Sequence, residues 1–230
     1  MDSGSVRAVV PCRSVTSSVV RCVNEALSNQ SVGSVLVSVN GPAPARAELE
    51  SVCGLDSRVA LQSHGGDIGL YRNFQSGVDK KWRFTKFFAE DDRTSHGLVD
   101  KLVSSARVAD ALVLPRFARQ IWEKGQFKGP VTDVGNNFSI PPAVDVNPSY
   151  IFGLWATDFL MQHWPRKPFD WLDYTLVIRA GLEGRVHLTN HGLLVLGVTP
   201  GKVPHAVSGE SHSSLRASVE FVRMGVGAMT

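Results

Sequence analysis

Hydrophobic positions in the first half of the chain alternate between two patterns. Val6 to Pro11, VRAVVP, is a short β-branched run of the kind that strands buried on both faces show. SSVVRCVNEALSNQ follows and puts Val19, Val20, Val23, Ala26 and Leu27 on one face of a helix. SVLVSVN, residues 34–40, predicts a second strand, ARAELESVC a short helix, and RVALQ, residues 58–62, a third strand. GGDIGLYRNFQSGVDK reads as a glycine-rich loop entering a helix near Gly69. FTKFFA, residues 84–89, predicts the next strand, then a helix carrying Leu98, Leu102, Val103 and Ala106, then the strand ALVLP.

Strands alternating with helices in this way define an α/β chain with a mostly parallel sheet covered on both faces. Ligands bind such sheets beyond the carboxyl ends of the strands. Four polar groups follow strand ends here: Cys12-Arg13-Ser14, Asn40, the Gly65–Asp67 loop, and Glu90-Asp91-Asp92. The alternation therefore predicts that all four meet at one edge of the sheet.

The second half is less regular. GQFKGPVTDVGNNFSIPPAVDVNPS is rich in Gly, Pro and Asn and predicts a long, partly extended loop. SYIFGLWATDFLMQHW and PFDWLDYTLVIRAG predict aromatic-rich helices, with Pro168 suited to the first turn of the second. RVHLTN and GLLVLGV predict a hairpin, and SLRASVEFVRM a closing helix. No repeat or linker divides the 230 residues, so one domain is expected.

Composition narrows the partners. Apolar residues are 43% and charged residues 20%, an ordinary globular balance. A net charge of +3, with no basic stripe interleaved with aromatics, points away from nucleic acid and suits phosphate groups or an anionic surface. Three scattered cysteines, Cys12, Cys22 and Cys53, make neither a disulfide framework nor a zinc spacing and suit a reducing compartment. The opening MDSGSVRAVVPCRS lacks the features of a secretory leader, and no apolar run approaches the ~20 residues needed to span a bilayer. The expectation is a cytoplasmic protein, soluble or peripheral to a membrane surface, with no transmembrane segment.

The candidate chemistry centres on FFAEDDR, residues 87–93. Three adjacent carboxylates repel one another unless a cation lies among them. Two carboxylates in a turn can face one Mg²⁺ or Mn²⁺, whose open positions diphosphate oxygens fill. The alternative is a solvated turn capping the next helix through Asp92 or Ser95.

These motifs together resemble the GT-A glycosyltransferases, especially their family 2. VVPCRS is similar to the family's opening strand and polar loop, VSVNGP to its second strand end, GLYRNF to its glycine loop, and FFAEDDR to its DxD element. The resemblance covers the first half well and the second half loosely. It implies a GT-A fold: a Rossmann-like, mostly parallel central sheet flanked by helices, with a smaller antiparallel acceptor-side element. It implies one domain over 1–230, with 1–115 as the nucleotide-sugar half and 116–230 as the acceptor half.

Pro11, Cys12, Arg13 and Ser14 would then line the nucleotide pocket. Asn40 would face the base where many relatives carry Asp, Asp67 would reach the base edge, and Gly66 would allow close approach. Arg72 would lie near the diphosphate or sugar, with Asn73 supporting the loop. Glu90 and Asp92 would be the outer DxD positions with Asp91 between them, Asp92 ligating Mn²⁺ or Mg²⁺ and Glu90 assisting.

The same resemblance assigns a catalytic base to Asp173 in FDWLDYTLVIRAG, with Arg179 downstream and Asp170 as second candidate. Trp155, Trp164, Trp171 and Tyr174 either pack the core or stack on a sugar; Trp171 is assigned to the acceptor. His64 and His96 are expected at the surface. Among His187, His191, His205 and His212, the resemblance favours His212 as a late metal ligand, while Lys202 or Arg216 could neutralise the diphosphate. The implied activity is metal-dependent, inverting transfer of a sugar from a nucleoside-diphosphate sugar, UDP favoured and GDP or dTDP possible, to a hydroxyl of a glycan or other small acceptor. A catalytically silent nucleotide-sugar-binding module is the alternative. A sugar-phosphate nucleotidyltransferase ranks below it, because PCRSVTS lacks that group's glycine- and lysine-rich signature.

Overall fold

The computed structural model describes residues 4–42, 46–54, 56–135, 148–165 and 172–199. Strand β1, Val6–Cys12, is apolar on both faces and lies between two parallel neighbours, β2 (Val32–Val39) and β4 (Phe84–Phe87). Strand β3, Val59–Ser63, continues the parallel set beyond β2 at the exposed edge. Between β1 and β2 runs helix α1, Ser17–Leu27. Thr16 caps it by accepting the Val19 N–H at 3.3 Å, and Val19, Cys22, Val23 and Ala26 are its buried face. Helices α2 (Arg46–Cys53), α3 (Leu70–Gln75) and α4 (Leu98–Ser105) make the remaining connections expected of the first half.

Among the described residues, nine strands join one sheet in the order β3-β2-β1-β4-β8-β6-β9-β5, with β7 paired on β6. The expected strand ALVLP is the start of β6, Leu112–Glu123, but it does not neighbour β4. The three-residue strand β8, Leu154–Ala156, lies between them, antiparallel to both. Position 115, the expected boundary between donor and acceptor halves, lies within β6.

Three expectations for the second half are corrected. The supposed loop after residue 125 begins as strand β7, Gln126–Gly135. Lys124 and Gly125 both have positive φ, 51° and 78°, which makes the two-residue turn whose twist suits a β-hairpin and folds β7 onto β6. The first aromatic segment is not one helix. It is a 3₁₀ turn (Pro148–Phe152), then β8, then helix α5 (Thr157–His163), and a Cβ at Gly153 would meet the Leu112 and Leu114 side chains.

The supposed hairpin of RVHLTN and GLLVLGV is one long strand, β9, Val186–Val198. It runs parallel to β6, but its register jumps, so that residues 189–192 lie opposite Pro115 alone. Proline gives the ladder no N–H, and Gly192 at φ 82° absorbs the bulge. The second aromatic segment is helical from Leu172: α6, Leu172–Leu182, packs on the 3₁₀ turn with Leu176, Val177 and Ala180 buried, while Pro168, expected in its first turn, lies outside the described residues.

The central core holds the apolar residues of β1, β2, β4, α1 and β6, together with Trp155. Trp155 is fully buried, donates its indole N–H to the Ile151 carbonyl at 2.8 Å and stacks on Phe159. Among the described residues, no helix is long and apolar enough to cross a membrane.

Candidate functional site

The parallel strands deliver the expected groups to their carboxyl ends. Beyond β2, the Asn40 N–H donates to the Cys12 carbonyl at 2.7 Å, which ties the ends of β1 and β2 together. The Asn40 amide then organises the glycine loop. Its Nδ2 donates to Asp67 Oδ1 at 2.8 Å, and its Oδ1 accepts the Ile68 N–H at 2.6 Å. Asp67 Oδ1 also accepts the Gly69 N–H at 2.8 Å, so one exposed carboxylate and one buried amide close the loop. The Gly69 and Asn40 donors, with the Arg13 charge adding, hold the Asp67 carboxyl below its usual range. Arg13, Asn40 and Asp67 are thus brought together, with Arg13 and Ser14 exposed and Pro11 half-buried. A Cβ at Gly66 would meet no atom within 4 Å, leaving that approach open.

Beneath the loop, Ser38 donates to Asn73 Oδ1 at 2.5 Å and lies 3.0 Å from both Ser76 Oγ and His64 Nε2. His64 is therefore a half-buried member of a polar network rather than the surface residue expected, because its ring reaches back over the end of β2. Arg72 is exposed on α3, and His96 is exposed after β5.

The acidic turn follows β4 and leads into the two-residue strand β5, Arg93–Thr94, which pairs with Leu194 and Val195 of β9. Glu90 is exposed, Asp91 half-buried and Asp92 buried at 8% exposure. Asp92, the expected metal ligand, is thus turned inward from the exposed side of the turn. Its Oδ1 accepts the Gly197 N–H at 3.2 Å, and its Oδ2 is buried with no hydrogen-bond partner among the described residues. Burial, with Asp91 alongside, pushes its carboxyl up to about 7, against the pull of Gly197, Lys86 and Arg21.

Lys86, fully buried in β4, lines the same pocket as Asp92 and donates to the Phe87 carbonyl at 2.7 Å. Burial pushes its ammonium down to about 8, and Asp92 opposes that shift. Burial together with the nearby Glu90 pushes the Cys12 thiol up to about 12, so Cys12 lines the edge as an inert apolar side chain.

The cations that answer the acidic turn are thus Lys86 below it and Arg21 beside it, neither of which motif reasoning singled out. Lys86 stands out in the sequence as a lone lysine inside FTKFF, whereas Arg21 lies on the polar face of α1 with Ser17, Asn24 and Glu25 and gave no such signal. Among the described residues, no three His, Cys, Asp or Glu side chains are grouped to hold a metal ion. Adjacent Glu90 and Asp91 offer at most two carboxylates. That donor set fits an ion sharing its shell with a diphosphate and water, as Mg²⁺ does, better than a closed protein cage.

Asp173 is the second residue of α6, but its side chain, like that of Tyr174, lies outside the described set. Trp171, Asp170, Lys202, His205, His212 and Arg216 also lie outside the described residues. Arg179 donates to Glu183 at 2.5 Å, beside Arg185 and His163. His187 Nδ1 is 3.6 Å from Asp110 Oδ2, and His191 is exposed in the β9 bulge.

A parallel β3-β2-β1-β4 block ending in polar loops, extended by antiparallel β8 and the β6–β7 hairpin, is the GT-A arrangement, a glycosyltransferase-like fold. Solved structures of S. aureus TarS share it. One aligns at a TM-score of 0.56 and 11% identity, over 85% of this chain and 37% of TarS. Another, TarS 1–349 in complex with UDP, aligns at a TM-score of 0.59 and 12% identity, over 85% of this chain and 61% of that one. The chain thus spans less than two thirds of either TarS chain. At these identities the likeness is one of fold. No protein-family model and no curated protein matches the sequence.

Proposed function

We propose that the chain is a family 2-like glycosyltransferase that takes a nucleoside-diphosphate sugar, UDP favoured over GDP or dTDP. It passes the sugar with inversion to a hydroxyl of a glycan or other small acceptor. One observation carries this reading: Arg13, the Asn40–Asp67 pair and the acidic turn share one edge of a fold on which TarS has been solved with UDP. Residues 1–115 are assigned the donor and 116–230 the acceptor.

Arg13 and Arg72, both exposed, carry the positive charge that attracts the diphosphate. Glu90 and Asp91, with His212 as a candidate third ligand, would hold Mn²⁺ or Mg²⁺, which neutralises charge on a leaving diphosphate. Asp173 takes the proton of the acceptor hydroxyl. The acceptor oxygen then bonds to the anomeric carbon from the face opposite the breaking bond to the diphosphate oxygen. Trp171 is assigned to the acceptor beside it.

The test begins with thermal unfolding in UDP, GDP and dTDP, each with and without Mn²⁺. Saturation at ~100 times Kd adds about 2.7 kcal/mol to the folded state, and the largest rise is expected with UDP and Mn²⁺ together. Asp173→Asn should keep that rise and lose transfer from the donor. No response to any nucleotide removes the donor assignment, and normal turnover in Asp173→Asn removes the base.

A further inference from the structure

Helix α1 cradles the acidic turn along its whole length. Its N-cap Thr16 donates to Glu90 Oε2 at 3.4 Å, and Cys22 Sγ–H donates to the Ala89 carbonyl at 3.3 Å. Glu25 accepts both the N–H and the hydroxyl of Thr94, at 3.0 and 2.9 Å. Between these contacts sits Arg21. Its Nη2 donates to the Glu90 carbonyl at 2.6 Å and its Nη1 to the Asp92 carbonyl at 2.7 Å. The guanidinium therefore grips the backbone on either side of Asp91 rather than neutralising the carboxylates directly.

The guanidinium is itself held. Glu25 lies 3.4 Å away on the next helical turn. Trp122 and Phe127, which face each other across the hairpin β6–β7 at 4.8 Å, stand 5.6 and 5.4 Å from its centre. Arg93 stacks on the same Phe127 ring at 4.2 Å. Strand β9 joins hairpin and turn a second time at Gly197, where an added Cβ would meet both the Asp91 carbonyl and Trp122 Cβ.

We propose that Arg21, locked by the Trp122–Phe127 pair of the β6–β7 hairpin, is a positioning residue that fixes the peptide planes of residues 90–92 for binding a nucleoside diphosphate. This rests on the donor reading above. A planar fork with two parallel donors suits two carbonyls at fixed spacing, which a lysine ammonium cannot match. The turn is then pre-set before ligand arrives, and the hairpin, remote in sequence, governs how well it is set.

Wild type, Arg21→Met, Arg21→Lys and Phe127→Ala are compared by backbone hydrogen exchange without ligand, and by titration with UDP and Mn²⁺. Amides of residues 89–94 should exchange at least ~10-fold faster in Arg21→Met, with β1 and β2 unchanged, and UDP affinity should fall ~10-fold or more, the loss expected of a charge-assisted bond. Arg21→Lys should behave like Arg21→Met despite its charge. Phe127→Ala, altered on a half-exposed hairpin ring, should shift both readouts the same way by less. Unchanged exchange at 89–94 overturns the proposal, as does full recovery by lysine or faster exchange with undiminished affinity. Failure of the wild type to bind any nucleotide instead removes the donor reading, and with it the ligand role of Arg21, even where exchange shows that the grip on the turn is real.

Discussion

Asp92→Asn should make the metal-free protein more stable than wild type at neutral pH. Asp92 is buried, and its carboxyl is pushed from 3.8 up to about 7. The fold therefore favours the protonated form. The stability this confers is full below pH 3.8, where the unfolded chain also holds the proton, and is lost as pH rises through about 7. A rise from 3.8 to about 7 corresponds to about 4 kcal/mol at 1.36 kcal/mol per pH unit. Asparagine keeps the oxygen that accepts the Gly197 N–H and does not ionise. Lys86 does not reverse the sign, because its ammonium is buried in both proteins and its attraction already helps set the value near 7.

Unfolding by urea in EDTA, at constant ionic strength from pH 4 to 8, measures the effect. The gap between variant and wild type should be near zero at pH 4, widen to about 4 kcal/mol by pH 7 and then stay flat; for a chain of this size that is roughly 10 °C in Tm. Parallel curves for the two proteins would refute the buried, neutral-leaning Asp92. Loss of UDP binding with Mn²⁺ in a stable Asp92→Asn would return this side chain to the ion's shell.

Two further outcomes follow from the packing around the same turn. Gly197→Ala should destabilise by about 2 kcal/mol or more, because its methyl group meets the Asp91 carbonyl and Trp122 with no space to yield; denaturant unfolding checks this, and a neutral effect would mean that β9 does not press on the turn. Cys12 and Cys22, both with thiols pushed up to about 12, should resist iodoacetamide at pH 8 in the native protein and react once it is unfolded; peptide mass mapping reads the difference.

The strand-helix alternation of residues 6–106 was legible because each buried parallel strand is a local apolar run and each helix a local amphipathic one. The gathering of polar loops at one edge followed from that alternation alone, and the Asn40 and Asp67 loops arrived where it put them. Beyond β4 the decisive pairings are distant in sequence. Leu154–Ala156 is a strand by virtue of its pairing with both β4 and β6, and β9 bulges opposite Pro115 where a turn had been expected.

The acidic triplet shows the division most sharply. Its composition marked residues 90–92 as a place where charge must be answered, since adjacent carboxylates repel whatever the fold. Which carboxylate turns inward was decided by a backbone N–H 105 positions away, by an arginine on α1 and by a lysine within β4. Spacing along the chain carries no information about such partners, because burial and hydrogen bonding are set by neighbours in space.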